Sequence, residues 1–97
     1  MPKGYIIAHI TVREPEAYKE YVVKDTPILE GFGAKFVIRG GQSQTVEGEA
    51  PATQRHVVIE FPSYEQALKA YNDPDYQEVA EIRRRTADSL IYVVEGT

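Results

Sequence analysis

The stretch from Gln54 to Tyr71 reads Gln-Arg-His-Val-Val-Ile-Glu-Phe-Pro-Ser-Tyr-Glu-Gln-Ala-Leu-Lys-Ala-Tyr and changes from a strand pattern to a helix pattern. Residues 54–61 are rich in β-branched types, and Pro62 closes them because proline cannot donate to a strand ladder. Ser63 and Gln66 have the spacing of a capping box. The positions that follow at helical spacing are Tyr64, Ala67, Leu68 and Tyr71. The stretch therefore predicts a strand followed directly by an amphipathic helix.

A strand and a long helix are predicted at the N-terminal end of the chain. Residues 5–12, Tyr-Ile-Ile-Ala-His-Ile-Thr-Val, have strand composition and are too short for a typical helix. A helix should begin at 14–16, where a proline and two acids suit the first turn, and end at the glycines of 31–33. Pro27 lacks an N–H, so we expect it to kink or restart this helix, with Thr26 as the cap of the new turn.

The segment between the long helix and Gln54 predicts a second strand and a connection. Residues 34–40, Ala-Lys-Phe-Val-Ile-Arg-Gly, have strand composition. The pair Gly40-Gly41 indicates a bulge or bend, and residues 42–46 could extend the strand beyond it. Residues 47–53 then form the connection to the third strand.

The C-terminal third of the chain predicts one more helix and one more strand. Asn72-Asp73-Pro74 stops the preceding helix and caps the next one, which closes at Arg83–Arg85, where solvated cations suit the negative helix end. Residues 89–95 form the last strand. The resulting order is βαββαβ, which predicts a ferredoxin-like α+β fold: an antiparallel four-stranded sheet with the helices on one face.

Composition narrows the class of protein without naming a reaction. Ninety-seven residues predict one domain spanning 1–97, and a formal charge of −4 argues against a nucleic-acid partner. The RNA-recognition fold shares this element order, but residues 55–61 lack the glycine and the exposed aromatic pair of its signature. The chain has no cysteine, which excludes disulfides and thiolate chemistry. No segment predicts a signal peptide or a membrane span, so we expect a cytoplasmic protein with no membrane partner.

Alternation assigns each predicted strand two faces. The residues expected to face the helices are Ile6, Ala8, Ile10, Val12, Phe36, Ile38, Val57, Ile59, Phe61, Ile91 and Val93. The opposite face mixes aliphatic residues with polar ones: Tyr5, Ile7, His9, Thr11, Lys35, Val37, Arg39, His56, Val58, Glu60, Leu90, Tyr92 and Val94. This face carries too much apolar surface for a monomer and too many charges for a dry core. A homodimer that packs sheet against sheet is therefore expected.

A set of residues spread along nearly the whole chain carries a family resemblance. These are Gly4-Tyr5, Glu14-Pro15-Glu16-Ala17-Tyr18, Tyr21, Gly33, Arg39-Gly40-Gly41, Glu47-Gly48, Glu60-Phe61-Pro62-Ser63, Ala67, Pro74-Asp75-Tyr76-Gln77, Arg83 and Glu95-Gly96. Together they resemble the DUF1330 family of the dimeric α/β-barrel superfamily. The resemblance implies a dimeric barrel but no particular reaction. Relatives in the wider superfamily include cofactor-free monooxygenases, haem-degrading and lactone-forming enzymes, and ligand-sensing domains.

Three residues of the mixed sheet face are candidate catalytic groups. His9 beside a carboxylate such as Glu60 could act as a general base, and Arg39 could hold a carboxylate or enolate oxygen. The alternative is that Arg39 and Glu60 form a buried ion pair and that His9 is only a hydrogen-bonded polar residue.

Four residues are candidates for ligand binding: Tyr5, Tyr18, Arg39 and Tyr92. Tyr18 is included because the family resemblance covers it, although helix tyrosines are more often packing residues. Two histidines on separate strands make a poor metal set, so neither a metal nor an organic cofactor is expected.

Two kinds of function fit these observations. The first is a small-molecule-binding protein or cofactor-independent enzyme, monooxygenase-like or isomerase-like, that uses a cavity between the sheet and the helices. Its ligand would be a small organic anion or carbonyl compound that presents an oxygen to Arg39. The alternative is a non-catalytic dimeric module that senses a ligand or serves as a scaffold.

Overall fold

The described residues form four strands and three helices. The computed structural model describes residues 2–51 and 54–97, so the end of the predicted connection 47–53 lies outside the described residues. The elements are β1 (Gly4–Val12), α1 (Pro15–Glu30), β2 (Lys35–Arg39), β3 (Gln54–Phe61), α2 (Tyr64–Tyr71), α3 (Pro74–Thr86) and β4 (Ala87–Glu95). The strands form one antiparallel sheet in the order β2-β3-β1-β4. This confirms the predicted ferredoxin-like α+β fold.

The hydrophobic core lies between the helices and one face of the sheet. Ile6, Ala8 and Ile10 of β1 are 3–4% exposed, and they alternate with half-buried residues that face the other way. Val57, Ile59 and Phe61 of β3 pack beside them, as alternation predicts. At the first residue of β1, a Cβ on Gly4 would lie 2.3 Å from the backbone oxygen of Ser63, so only glycine allows α2 to begin this close to the strand.

Helix α1 runs through Pro27 as one helix, so the expected restart at that proline is wrong. Pro27 lies in the last turn, and Leu29, which is fully buried, anchors that turn to the core. Thr26 does not cap a new turn. Its hydroxyl lies 2.8 Å from the carbonyl oxygen of Val22, one turn earlier in the same helix.

The boundary between α2 and α3 follows the prediction. The Ser63 side chain accepts a hydrogen bond from the backbone N–H of Gln66, and the Asp73 side chain accepts one from the N–H of Tyr76. Each bond satisfies a donor that the first turn of a helix otherwise leaves free. Glu14, which precedes α1, makes no such side-chain bond.

A bulge in β2 reverses the predicted direction of its last two side chains. Phe36 pairs with Ile59, but Ile38 pairs with Val58 and Arg39 with Val57. Because paired residues share a face, Ile38 lies on the open face and Arg39 on the helix side. The sequence-based assignment of these two residues is therefore wrong.

The bulge lies at Phe36–Ile38 rather than at the glycine pair. Gly40 forms a bend with φ +67°, and the strand ends there, so the expected extension over 42–46 is absent among the described residues.

The open face of the sheet carries the remaining large apolar side chains of the strands. Leu90, Tyr92 and Val94 of β4 are 53%, 50% and 41% exposed, and Val37 and Ile38 of β2 are similarly exposed. Ile91 and Val93 pack on the core side, as predicted. Among the described residues, no helix has both the length and the apolar character needed to cross a membrane.

Candidate functional site

A small cavity with a mixed apolar and polar lining lies within the core, between α1 and the helix side of the sheet. Its volume is about 30 Å³, enough for roughly one water molecule. Its polar lining consists of Tyr18, Tyr21, Asp25, Arg39, Arg55 and Tyr76. Three of these come from α1 because positions 18, 21 and 25 follow helical spacing on the one stripe that the helix buries.

Asp25 is the carboxylate of this cavity and is 4% exposed. The Nη2 atom of Arg39 lies 3.9 Å from Asp25 Oδ1, which is an ion pair too long for a direct hydrogen bond. The Thr26 hydroxyl lies between the two groups: it accepts a hydrogen bond from Arg39, and its one proton is shared between the Val22 carbonyl oxygen at 2.8 Å and Asp25 Oδ1 at 3.2 Å. Burial raises the pKa of Asp25 to about 6, although Arg39 and the hydrogen bond from Thr26 act in the opposite direction. The result is a buried carboxylate that changes charge near neutral pH.

Two tyrosines and an arginine lie near Asp25 in the core. The hydroxyls of Tyr21 and Tyr76 are 2.8 Å apart, and burial raises the pKa of both phenols. The guanidinium carbon of Arg83 lies 5.7 Å from the centre of the Tyr21 ring. Arg83 is only 3% exposed, and its Nε and Nη2 have no hydrogen-bond partner among the described residues. The expectation that Arg83 is a solvated helix-end cation is therefore wrong.

Arg55 forms the other wall of the cavity. It pairs with Ile10 in the sheet register, which places it on the helix side of β3. Its guanidinium carbon lies 5.6 Å from the centre of the Tyr18 ring, and its Nε is buried with no partner among the described residues. Because burying a charge without a partner is unfavourable, Arg55 is a group that an anion would stabilise.

An open, mainly apolar groove of about 500 Å³ adjoins the cavity. The two share Tyr18, Val22 and Arg55, so these side chains separate the interior from the surface. The remaining groove residues are Val12, Pro15, Lys19 and Val23. A small organic molecule would reach Asp25 from this groove by displacing the side chains that separate the two spaces.

The charges of the site favour an anionic ligand. Asp25 is the one buried acid in the described core, whereas Arg39, Arg55 and Arg83 bring three guanidinium groups to its surroundings. An enolate or carboxylate oxygen placed there would pair with an arginine, and Asp25 could accept a proton from the same molecule.

The candidate residues proposed from sequence fall on two sides of the sheet. Arg39 and Tyr18 line the interior cavity. Tyr5, His9, Glu60 and Tyr92 lie on the open face, with Tyr5 paired to Glu60 and His9 paired to His56. The expected contact of Arg39 with Glu60 is wrong, because Arg39 faces Asp25 while Glu60 forms its ion pair with Lys3.

The open face has a polar pair of its own. The Nδ1 atoms of His9 and His56 are 2.9 Å apart, and the rings of His9 and Tyr92 are 6.4 Å apart between centroids. His9 and Glu60 occupy distant positions of the β1–β3 register, so the predicted His–carboxylate pair does not form. The ligand-binding roles of Tyr5 and Tyr92 stay predictions. Within residues 2–51 and 54–97, no group of three or more His, Asp or Glu side chains is arranged to hold a metal ion.

Sequence reasoning missed Tyr21, Asp25, Arg55 and Tyr76 as members of the site. A signal for Asp25 exists, since it occupies the apolar stripe of α1 at seven residues from Tyr18. An acid in such a stripe indicates a buried, partnered carboxylate. Arg55 gives a similar signal, because it alternates in phase with the buried Val57 and Ile59.

The fold resembles that of several solved proteins. One of unknown function from Rhodopseudomonas palustris has a TM-score of 0.77 and 24% identity, covering 99% of this chain and 83% of that chain. The cofactor-independent oxygenase SnoaB from Streptomyces nogalater has a TM-score of 0.66 and 13% identity, covering 100% and 95%. A candidate antibiotic biosynthesis monooxygenase from Caulobacter crescentus has a TM-score of 0.63 and 10% identity, covering 99% and 91%. At these identities the likeness shows a shared fold and no more.

The family comparison agrees with the resemblance seen in the sequence. No curated protein matches the chain. The model of the domain of unknown function DUF1330 matches residues 3–97. Because this match spans nearly the whole sequence, the chain belongs to the DUF1330 family.

Proposed function

We propose that the protein is a cofactor-independent enzyme that removes a proton from a small organic anion or carbonyl compound in the cavity beneath α1. The observation that carries this proposal is the buried Asp25, whose pKa is raised to about 6 next to Arg39. A general base works best when its pKa lies near the working pH. Asp25 is mostly ionised at pH 7, and its burial makes it a stronger base than an exposed aspartate.

The roles of the neighbouring residues follow from their charge and position. Asp25 takes a proton from an acidic C–H or O–H bond, and the electron pair moves to the carbonyl or phenolic oxygen. Arg39 and Arg55 then stabilise the resulting oxyanion, which is the state that a preorganised cation favours most. Return of the proton to another atom completes an isomerisation.

Reaction of the same carbanion with dioxygen is a second outcome of that deprotonation: a C–O bond forms, dioxygen is reduced to the peroxide level by the carbanion's electron pair, and the proton held by Asp25 completes a hydroperoxide. The structural neighbour SnoaB is named a cofactor-independent oxygenase, and its likeness to this chain supports the availability of such chemistry on this fold. Both outcomes need the same base and the same oxyanion site, so they share one test.

The test measures exchange of substrate protons with solvent. A panel of 1,3-dicarbonyl compounds, 2-oxo acids and hydroxyquinones is incubated with the protein in D₂O, and exchange is followed by proton NMR together with dissolved oxygen. We expect the protein to accelerate C–H exchange above the protein-free rate for at least one compound class, and we expect Asp25→Asn to reduce this acceleration by about a hundredfold or more. Glu20→Gln is the matched control, since Glu20 is an exposed carboxylate on the same helix paired with Lys24. Unchanged exchange in Asp25→Asn would remove Asp25 as the base.

A non-catalytic module is the second candidate function, and the small size of the cavity favours it. A volume of about 30 Å³ is also what a polar core closed around one water would have. This alternative predicts that the protein accelerates proton exchange in no compound class of the panel, whether or not a compound binds.

We also propose that the protein forms a homodimer through the open face of the sheet. The exposed apolar residues of β2 and β4 and the histidine pair at its centre support this arrangement. Monomeric proteins rarely leave such a surface uncovered. A cytoplasmic location and the absence of a nucleic-acid partner stay predictions.

A further inference from the structure

Arg55 is a partly buried arginine with no anionic partner among the described residues. The described ion pairs of the neighbourhood join Arg39 to Asp25 and Arg13 to Asp88, and none involves Arg55. Its guanidinium lies over the Tyr18 ring and occupies the space where a side chain of residue 40 would begin. A guanidinium held in this way keeps its hydrogen-bond donors available for a ligand.

Gly40 leaves room for the Arg55 guanidinium because glycine has no side chain. A Cβ at this position would lie 2.7 Å from Arg55 Nη2 and 2.8 Å from Arg55 Cζ. The obstructed atoms are the far end of a flexible side chain, so alanine at position 40 would displace the guanidinium rather than the sheet. The backbone here has φ +67°, which also favours glycine.

The groove next to Arg55 is mainly apolar, in contrast to the charged guanidinium. Its walls are the apolar side chains of Val12, Pro15, Val22 and Val23, with the Tyr18 ring at the inner end. Lys19 also lines the groove, and its ammonium group pairs with Glu16. A ligand that fits both parts needs an apolar, flat body for the groove and one anionic head for the arginine. Planar carboxylates suit a guanidinium because its donors form a fork of the same width.

We infer that Arg55, seated on Gly40, is the residue that selects the ligand, and that the ligand is an aromatic or unsaturated monocarboxylate whose body lies in the groove beside α1. The inference rests on the proposed function for the position of the ligand next to the cavity. It adds a selecting residue and a substrate class, neither of which depends on Asp25 acting as a base.

The test compares one probe with two matched compounds. Cinnamate has the planar body and the carboxylate, cinnamamide keeps the body without the charge, and acetate keeps the charge without the body. Binding to the purified protein is measured by NMR titration. We expect cinnamate to bind about tenfold or more tightly than either of the others, because only cinnamate uses both the groove and the arginine.

Substitutions then identify the residues responsible. Arg55→Met should weaken cinnamate binding by about tenfold or more, and Arg55→Lys should restore part of it, since lysine keeps the charge but not the fork. Gly40→Ala should weaken binding to a similar extent. Gly48→Ala is the matched control, because Gly48 has φ +85° but no atom within 4 Å of the added Cβ. It strains the backbone equally and should leave binding unchanged.

Non-additivity tests whether Gly40 acts through Arg55. The double variant Gly40→Ala/Arg55→Met should bind no more weakly than Arg55→Met alone. The inference is overturned if cinnamate does not bind, if cinnamamide binds equally well, or if folded Arg55→Met retains the wild-type affinity. If binding depends on Arg55 but the protein accelerates proton exchange in no compound of the D₂O panel, the proposed enzymatic function fails while this inference stands.

Discussion

Asp25 couples the chemistry of the site to the stability of the fold. Its pKa is about 6 in the folded protein against 3.8 for an ordinary aspartate. The folded state therefore holds this proton more tightly than the unfolded chain does. The stabilisation from this bound proton is fully present below pH 3.8 and is lost as the pH rises through 6. At neutral pH the loss in the free energy of unfolding is about 3 kcal/mol.

Replacing Asp25 by asparagine should remove this pH dependence. At pH 7 we expect Asp25→Asn to be more stable than the wild type by up to about 3 kcal/mol, because no charge has to be buried. The difference should shrink as the pH falls from 7 to 4, and urea unfolding at several pH values measures it. A constant difference between the two proteins over this range would mean that Asp25 does not titrate with a raised pKa.

At the scale of the elements, the close contact of β1 with the start of α2 gives a second prediction. Alanine at Gly4 would place a Cβ 2.3 Å from Ser63 O and 2.6 Å from Tyr64 Cα, and both are backbone atoms that cannot rotate away. We expect Gly4→Ala to lower the free energy of unfolding by about 1–3 kcal/mol or more. Gly41→Ala, whose Cβ would meet nothing within 4 Å, should change it by less than about 0.5 kcal/mol. Equal stability of the two variants in urea would contradict this.

The elements also show which part of the structure the sequence can predict. Hydrophobic periodicity and capping residues predict the strands, the helices and their order, because each signal is local. The bulge at Val37 leaves no such local signal, since residues 35–39 have ordinary strand composition and contain no glycine or proline to mark it. One extra residue reverses the parity of β2 and moves Arg39 to the helix side. The partner of Arg39 therefore follows from the three-dimensional register and could not be found by alternation.

At the scale of the whole molecule, the two faces of the sheet have different proposed roles, ligand binding on one and dimerisation on the other. The helix side contains Asp25 and its arginines, whereas the open side carries apolar residues at both edge strands. A two-fold dimer through the open side would bury those residues and leave the groove beside α1 accessible. Dimerisation and ligand binding should therefore be separable by substitution.

Leu90 is the residue best suited to test this separation. It is 53% exposed on β4 and lies directly opposite His9 in the register, so an arginine there would bring an unpaired charge to the proposed interface. We expect Leu90→Arg to weaken the dimer by about a hundredfold or more, since such a charge costs several kcal/mol. Sedimentation at micromolar concentration should show a species near 10.9 kDa for the variant and twice that mass for the wild type.

The control for this experiment lies on the opposite side of the sheet. Val23 is 72% exposed on α1, so Val23→Arg adds the same charge to an apolar site without touching the open face. It should leave the dimer intact. A wild-type protein that sediments at the mass of one chain would disprove the dimer outright. If only Val23→Arg dissociates, the interface involves α1 instead, and the groove beside that helix would be closed in the assembly.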